Sequence, residues 1–519
     1  MSGQKVAKNV AVTLIVQLTS WVLAFAVTLF LPRYLGDSNM GKLTIASSLV
    51  ALCGALANVA SGGAVTREIA RNPANTGQTL AAALVVRLPL TLLFGFGLPV
   101  LLSYVLGYTP ATRVLIYICG GALLIGSLNE IISAVSQGQE NLVRPGVATL
   151  LDKFLGVGCV LALVLARAPL WTFAAVGAFT CLCALAVNAR PFWGLIRQLR
   201  RPDQKTGRAF LATGGVFFVL LLFRTVYSQA DVLLMSALLP TDVAERTAGW
   251  YSVVQRLLGS ALFIPTALAS ALLPTLTRLH SQNVHPDGET NSEAFTRLVR
   301  RSMTIALISA TMISLPLIVM PRVILLDIMR YPATFAPSIP LLSIYGAGCI
   351  FWYMTQIIGT ALMALQQERA VCRVSLWACV LTIGGCAIAI PLAQHLLGNA
   401  GVGAVCIDVA VEVYVMVAFM RLLPKDVLPA RVLISQFARC LLVAAPVVVL
   451  LRIGAYYIGG DGRAFVNMPV AIAAGTLCLL VGVALCAWLC IRLELIQRSD
   501  LDRLRLALSK RKPKGQFSV

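Results

Sequence analysis

The sequence predicts an all-α membrane protein that crosses the bilayer about fourteen times. Three observations lead to this fold class. Of the 519 residues, 58% are hydrophobic and 12% are charged, and the mean hydropathy is +0.85, whereas soluble domains carry about 25% charged residues. Apolar runs of about 20 residues, the length that crosses a hydrocarbon core, recur along the chain. Basic residues are concentrated in alternate connections, as the positive-inside rule requires.

The apolar runs follow one another with short connections, so neighbouring helices are expected to be antiparallel. The first run follows Lys5 and Lys8 and is too long for the core of a signal peptide, which indicates a membrane helix. The fourteen predicted spans are 10–31, 43–65, 80–102, 114–136, 146–167, 170–190, 210–238, 249–276, 302–326, 337–365, 371–394, 400–422, 436–457 and 467–491.

A strongly basic connection divides the predicted helices into groups. Six helices occupy residues 1–193, a basic cytoplasmic linker covers 194–208, and six more helices occupy 209–422. Two extra helices follow in 435–493. Residues 494–519 have leucines near helical spacing among many basic residues, which predicts an amphipathic tail on the cytoplasmic membrane surface.

Lysine and arginine are distributed unequally between the two predicted sides. With a cytoplasmic N-terminus, most of the 42 basic residues lie at the chain ends or in even-numbered connections. Both termini are therefore expected in the cytoplasm. The net charge of +21 then reflects topology and contact with anionic membrane lipids rather than nucleic-acid binding. Few basic residues remain for the opposite side: Arg33, Lys42, Arg113, Arg167, Arg246, Arg322, Arg330, Arg452 and Arg463.

Charged side chains inside the apolar runs identify candidate functional positions. The stretch 217–239 contains Arg224 and Asp231, and each charge costs roughly 2.5–3.5 kcal/mol at a helix centre. Seven residues make nearly two helical turns, so both lie on one face, about 10 Å apart. Tyr227 and Ser228 lie on or near that face. Such a polar stripe must contact protein or a water-filled cavity, either as a buried ion pair or as part of a substrate or ion pathway.

Depth along the predicted helices suggests partners for these charges. Asp231 and Arg256 are expected at similar depths in consecutive spans, where they can form an ion pair. The same counting places Arg87 opposite Glu130 near the inner side. Charges buried in a membrane are usually paired or functional, so both pairs are candidates for a structural or a coupling role.

One predicted helix carries two acids a single turn apart, Asp408 and Glu412. Two carboxyl groups this close favour a proton on one of them. The pair is therefore a candidate carrier of a proton or another cation. The alternative is a neutral carboxyl group that is only hydrogen-bonded.

Prolines interrupt three predicted spans at Pro265, Pro316 and Pro446. Proline inside a helix frees a carbonyl group and bends the helix. Pro265 is the candidate hinge, with a static kink as the alternative.

Metal sites and disulfides are not predicted. Most of the 14 cysteines lie in apolar runs, where they resemble small buried residues. His280 and His285 lie in a polar loop and are expected to be solvated. No cofactor is expected, apart from H⁺ or Na⁺ as a coupling ion.

Four segments of the sequence follow a recognisable order. They are "LPRYLGDSNMGKLTIASSL", "GQENLVRPGVATLLDK", the stretch 227–279, and "LGNAGVGAVCIDVAVEV" with Glu412. They resemble the polysaccharide-unit flippases of the multidrug/oligosaccharidyl-lipid/polysaccharide exporter superfamily, although Asp408 is not part of that pattern. In 227–279 the matching residues are Asp231, Gly249, Tyr251, Arg256, Ile264, Pro265, Leu273 and Pro274.

The resemblance implies two six-helix lobes related by a pseudo-twofold axis, with a central cavity and alternating access. It implies transport of undecaprenyl-diphosphate-linked sugar units across the cell inner membrane, with polysaccharide polymerase and glycosyltransferase machinery as expected partners. Arg87, Arg224 and Arg256 would then bind the diphosphate, because guanidinium groups match phosphate geometry. Tyr227 and Ser228 would line the same cavity.

Two other functions stay open at this stage. One is a multidrug or cation antiporter of the same superfamily, which would need a cavity dominated by acids and aromatic residues. The other is a membrane-embedded sugar polymerase or transferase. An enzyme is the less expected of these, because the outer connections are too short to hold a polar catalytic cluster.

Overall fold

The computed structural model describes residues 3–58, 62–192, 204–281, 291–424 and 426–459, with parts of 474–488. Within these ranges the chain forms helices and turns and no strand, which confirms the all-α class. Most of the basic linker, His285, most of the fourteenth predicted span and the tail 494–519 lie outside the described residues.

Fifteen α-helices are numbered here in chain order through the described ranges. Two π-helical turns, Thr91–Gly97 and Val323–Ile328, follow α3 and α11. The helices are α1 Gly3–Ala55, α2 Gly62–Arg71, α3 Thr76–Leu90, α4 Leu98–Val105, α5 Pro110–Gly138, α6 Val143–Leu165, α7 Leu170–Ala189, α8 Gln204–Leu238, α9 Thr241–Ala261, α10 Phe263–Ser281, α11 Asn291–Val319, α12 Ser338–Ala364, α13 Glu368–Leu397, α14 Ala400–Leu422 and α15 Ala430–Gly459.

Ten helical segments of the described chain are long and apolar enough to cross a membrane. The number is eleven if the bent pair Thr241–Ala261 and Phe263–His280 counts as one span. The predicted count of fourteen is therefore not confirmed. The second predicted span, 43–65, is interrupted: its helix ends at Ala55, and the chain becomes helical again at Gly62.

The first predicted connection is almost entirely helical. Within α1 only Gly36 departs from helical geometry, with φ 73° and ψ 178°. This combination of positive φ and extended ψ is essentially restricted to glycine. A single glycine therefore separates the first span from the second.

The described residues form two compact units. The first unit comprises Met1–Phe263, Tyr331–Leu341 and Glu368–Val415. The second comprises Ile264–Arg330, Leu342–Gln367 and Met416–Val519. The predicted lobes 1–193 and 209–422 remain a prediction.

Each unit has its own internal packing. In the first, Val65 and Ile69 of α2 are fully buried against Ile131 and Val135 of α5. In the second, α11 packs against α15, and the Arg300 guanidinium donates to the backbone oxygen of Val427 over 2.9 Å.

Connections that the sequence places outside meet at one end of the first unit. The Tyr34 hydroxyl donates to the backbone oxygen of Ala168 over 2.9 Å. The Trp250 indole N–H donates to the backbone oxygen of Thr334 over 2.8 Å. These contacts join four predicted outer connections and their adjoining helix ends, so they agree with the predicted alternation of sides.

Candidate functional site

Two buried aspartates and one tyrosine form a cluster inside the first unit. Asp231 of α8 and Tyr251 of α9 are each 1% exposed, and Asp408 of α14 is 6% exposed. The Tyr251 hydroxyl donates to Asp231 Oδ2 and lies 2.7 Å from Asp408 Oδ2. The backbone N–H of Val232 donates to Asp231 Oδ1 over 2.8 Å. Three helices therefore bring their polar groups to one point that is closed to solvent.

The number of protons in this cluster follows from its hydrogen bonds. A phenol hydroxyl has one proton and can donate to only one carboxylate oxygen. If both aspartates were ionised, the second oxygen would face a phenol lone pair at 2.7 Å. Both contacts are satisfied when one aspartate is protonated and donates to the Tyr251 oxygen. The geometry therefore favours one proton on the two aspartates, beyond that of the phenol itself.

A second buried acid lies one helical turn further along α14. Glu412 is 3% exposed, and its Oε2 accepts the Tyr227 hydroxyl over 2.7 Å. Ser228, also on α8, donates to the backbone oxygen of Thr225 over 3.1 Å. Two consecutive tyrosine–carboxyl contacts thus join α14 to its neighbours.

The predicted ion pair between Asp231 and Arg256 is not formed. Among the described residues, no carboxylate lies within ion-pair distance of the Arg256 guanidinium. The reason is the start of α9, which begins at Thr241 rather than at residue 249 as predicted. With this register Tyr251 is level with Asp231, and Arg256 lies about 7.5 Å further along the axis.

Arg256 lies instead near a tyrosine of the connection at residues 329–332. The Tyr331 hydroxyl donates to the backbone oxygen of Thr28 over 2.6 Å. Burial raises the pKa of Tyr331, while the positive charges of Arg256 and Arg33 oppose that shift. Arg256 as a whole residue is half-buried.

The predicted partners Arg87 and Glu130 are brought together. The Arg87 guanidinium is bound to Glu130 Oε2, and Arg87 is 5% exposed. Glu130 Oε1 also accepts the backbone N–H of Gly62, the first residue of α2, over 3.2 Å. A carboxylate at a helix N-terminus is favourable. Glu130 therefore joins α3, α5 and the restart of the interrupted second span.

Arg224 differs from Arg87 in its surroundings. It lies near the middle of α8 and is exposed. No described carboxylate is within ion-pair distance of it. A guanidinium at this depth cannot face hydrocarbon without a large cost, so it must face water or a polar ligand.

The remaining predictions concern Pro265 and metals. The helix breaks at Leu262, and Pro265 lies in the first turn of α10, where proline is well tolerated. The part of the chain that the structure describes holds no group of three or more His, Cys, Asp and Glu residues that could bind a metal ion.

Sequence reasoning missed two functional candidates. Tyr251 was recognised only as part of a family pattern, and Glu245 was not singled out. Glu245 lies at the start of α9, a segment that the prediction treated as a connection. A single charged residue in an otherwise buried helical face, such as Glu245 between Ala244 and Ala248, is the signal that could have identified it.

Comparison with known proteins identifies the family. The family model for polysaccharide biosynthesis proteins matches residues 6–280, more than half of the chain. The fold is similar to that of the lipid II flippase MurJ in an inward closed conformation, with a TM-score of 0.63 and 11% identity. That likeness covers 92% of this chain and 98% of the MurJ chain. No curated protein sequence matches the chain.

Two multidrug transporters have a similar fold. An inward-facing transporter of the MATE family gives a TM-score of 0.54 at 14% identity, covering 79% of this chain and 98% of its own. The eukaryotic MATE transporter AtDTX14 gives 0.51 at 12% identity, covering 84% and 98%. These neighbours are transporters and a flippase rather than enzymes, and their fold is that of a multi-pass membrane protein. The chain belongs to the polysaccharide biosynthesis protein family.

Proposed function

We propose that this protein is a flippase that moves an undecaprenyl-diphosphate-linked sugar unit across the cell inner membrane by alternating access. Family membership and the transporter fold support a role in moving a lipid-linked precursor. The observation that carries the substrate class is Arg224, an exposed guanidinium near the middle of a membrane helix with no described carboxylate partner.

Phosphate chemistry accounts for an arginine at this position. A diphosphate headgroup cannot cross hydrocarbon unaided, because its charge would lose hydration. Guanidinium groups offer paired donors in a fixed plane that match phosphate oxygens. Transporter sites commonly lie near the bilayer midplane, which is the level of Arg224. Arg256 is the second candidate contact, whereas Arg87 is already bound to Glu130.

The acid cluster provides a coupling site on the same helix. Asp231 lies about 10 Å from Arg224 along α8, and its contact with Tyr251 and Asp408 favours an additional proton. We assign H⁺ rather than Na⁺ as the coupling ion. Transport that depends on a sodium gradient and not on a proton gradient would contradict this assignment.

Orientation and partners complete the proposal. The N- and C-termini face the cytoplasm, as the distribution of basic residues indicates. The sugar unit is loaded on the inner leaflet, where glycosyltransferases complete it. It is released on the outer leaflet to polymerase machinery.

Substitution of Arg224 tests the substrate class. Arg224→Lys keeps the charge but loses the paired donors, so glycan export should fall while the protein remains folded. Arg224→Ala should reduce export by about ten- to a hundredfold, as expected for roughly 1.5–3 kcal/mol from a charged hydrogen bond. The measurement is complementation of glycan export in a flippase-null strain, together with expression level and melting temperature.

The matched control is Arg369→Ala, which removes an exposed arginine from the first turn of α13, outside the candidate site. It should export normally. Full export by Arg224→Ala at normal expression would remove Arg224 from the site.

A multidrug or cation antiporter is the second candidate, favoured by the MATE-like fold and the buried acids. An exposed guanidinium would repel a cationic drug, which weighs against this function. Efflux of cationic dyes from cells that express the protein would distinguish the two: the flippase proposal expects none.

A further inference from the structure

One end of the first unit is closed by an unusually tight contact between α1 and α9. A methyl group at Gly41 would lie 1.6 Å from the backbone oxygen of Glu245, and one at Gly249 would lie 2.0 Å from that of Asp37. Real Cβ contacts are not this short, so only glycine fits at both positions. We call this contact, residues 37–42 against 245–250, the α1–α9 seal.

The buried carboxylate of Glu245 connects the segments that meet at the seal. Glu245 is 4% exposed, and its Oε2 lies 3.5 Å from Lys42 Nζ and 3.3 Å from Ser38 Oγ. Its Oε1 accepts hydroxyl protons from Thr109 over 3.3 Å and Thr112 over 3.4 Å. One side chain therefore joins α9 to α1 and to the start of α5.

An indole group closes the edge of the seal. The Trp250 N–H lies 3.2 Å from Asp37 Oδ2 and 2.8 Å from the backbone oxygen of Thr334. The Ser338 hydroxyl donates to the Trp250 backbone oxygen over 3.2 Å. Hydrogen bonds and one ion pair therefore connect four parts of the chain, residues 37–42, 109–112, 245–250 and 334–338.

The seal is directly connected to the proton cluster. Tyr251, which contacts both Asp231 and Asp408, follows Trp250 in the chain. Since α9 is a continuous helix from Thr241 to Ala261, a movement of α9 away from α1 that leaves α8 and α14 in place would also move the Tyr251 hydroxyl relative to the two carboxyl groups. Such a movement would link opening of the seal to loss of the shared proton arrangement.

Alternating access, as in the proposed function, requires a gate at each end of the transport path; we propose that the Lys42–Glu245 ion pair is the latch that holds the α1–α9 seal closed as one such gate, and that opening of this gate is coupled to proton exchange at Asp231 and Asp408. The proposed flippase function determines what passes the gate. It does not determine whether the gate opens.

Cysteine labelling at a buried position measures that opening. Thr247 is fully buried at the level of the seal, and its hydroxyl has no partner among the described residues. Thr247→Cys therefore introduces a thiol with little structural change. The purified variant is treated with a maleimide, and labelling of the peptide that contains residue 247 is followed by mass spectrometry. Without lipid-linked substrate in the sample, the result does not depend on what the protein transports.

Gly249→Ala should prevent the seal from closing fully and accelerate labelling of Thr247→Cys by about fivefold or more, since a shift of one or two kcal/mol changes a population by roughly 5–30-fold. The matched control is Gly259→Ala on the same helix, where a methyl group meets nothing within 4 Å. It should label at the rate of the parent. Equal rates in folded Gly249→Ala and Gly259→Ala would overturn the gate.

A milder variant tests the latch and covers the case in which Gly249→Ala does not fold. Glu245→Gln keeps the shape and an acceptor for the hydroxyl groups but loses the charge that attracts Lys42. Faster labelling at residue 247 supports the latch. An unchanged rate in a folded protein contradicts it. Lower pH should also increase opening in the Thr247→Cys parent, measured as its labelling rate divided by that of the exposed Arg369→Cys at the same pH, which removes the effect of thiol ionisation. The increase should be smaller when Asp408→Asn is added, because that variant lacks one of the two carboxyl groups that exchange the proton; identical normalised pH responses would exclude the coupling.

Discussion

At the scale of single residues, the most consequential feature is a phenol between two acids. Burying a carboxyl group is costly unless its oxygens are hydrogen-bonded. Tyr251 can donate to one of the two aspartates, Asp231 and Asp408, and accept from the other when that one is protonated, all three being at most 6% exposed. The tyrosine makes buried acids tolerable and provides hydrogen bonds for a shared proton. Arg256, which the sequence proposed for this role, would have neutralised Asp231 and removed the need for that proton.

Tyr251→Phe should destabilise the protein by about 1–3 kcal/mol, the cost of leaving buried polar groups without a partner. The measurement is the melting temperature in detergent. Tyr108→Phe is the matched control, because Tyr108 is also buried but contacts a neutral hydroxyl, that of Ser236, over 2.7 Å. The Tyr251 variant should lose more stability than the control.

Combining Tyr251→Phe with Asp408→Asn should cost less than the two single changes together, since partners that contact each other are not additive. Strict additivity would mean that the Tyr251–Asp408 contact contributes nothing to stability.

At the scale of helices, the positions of breaks decide which side chains meet. The early start of α9 at Thr241 brings Tyr251 rather than Arg256 to the level of Asp231. The break of α1 at Gly36 places Asp37, Gly41 and Lys42 directly on the following helical segment, where they contact α9. The arrangement of the seal therefore depends on one glycine with positive φ.

Gly36→Ala should destabilise the folded state by about 1–3 kcal/mol, the cost of a non-glycine residue in this backbone region. No atom lies within 4 Å of the added methyl group, so steric contact does not contribute. The melting temperature in detergent is compared with that of Gly121→Ala in α5, where a methyl group is equally free and φ is helical. Similar melting temperatures for the two variants would show that Gly36 is not strained.

At the scale of the whole molecule, the predicted side of the membrane for each connection determines where the seal and the headgroup site lie. Contacts within the first unit join predicted outer connections and helix ends adjoining them, including Asp37 with Trp250 and Thr109 with Glu245. The seal thus lies at the end that the basic residues predict to be outside. The candidate headgroup site at Arg224 lies deeper along α8.

Labelling with an impermeant maleimide, on a background that lacks the native cysteines, tests this orientation in intact cells. Arg246→Cys, an exposed position beside the seal, should be labelled from outside. Arg369→Cys, exposed at a predicted cytoplasmic end, should be labelled only after the membrane is permeabilised. The reverse pattern would invert the topology and place the seal on the cytoplasmic side.

Several features followed from the sequence by itself, because they depend on composition and local pattern. Apolar runs of membrane length predicted the all-α class. The charged residues within those runs, Arg224, Asp231, Asp408 and Glu412, were thereby predicted as functional positions. The pairing of Arg87 with Glu130 also followed, since they lie inside the continuous helical stretches 76–105 and 110–138, whose limits the predicted spans 80–102 and 114–136 match to within four residues.

Other features were decided only by the tertiary structure. Which helical faces meet depends on register, and an error at the start of α9 was enough to assign Asp231 the wrong partner. The Gly41–Gly249 approach and the Glu245 contacts join segments about two hundred residues apart along the chain. No local pattern encodes them, because the free energy that favours them comes from packing and desolvation of groups that become neighbours only after the helices assemble.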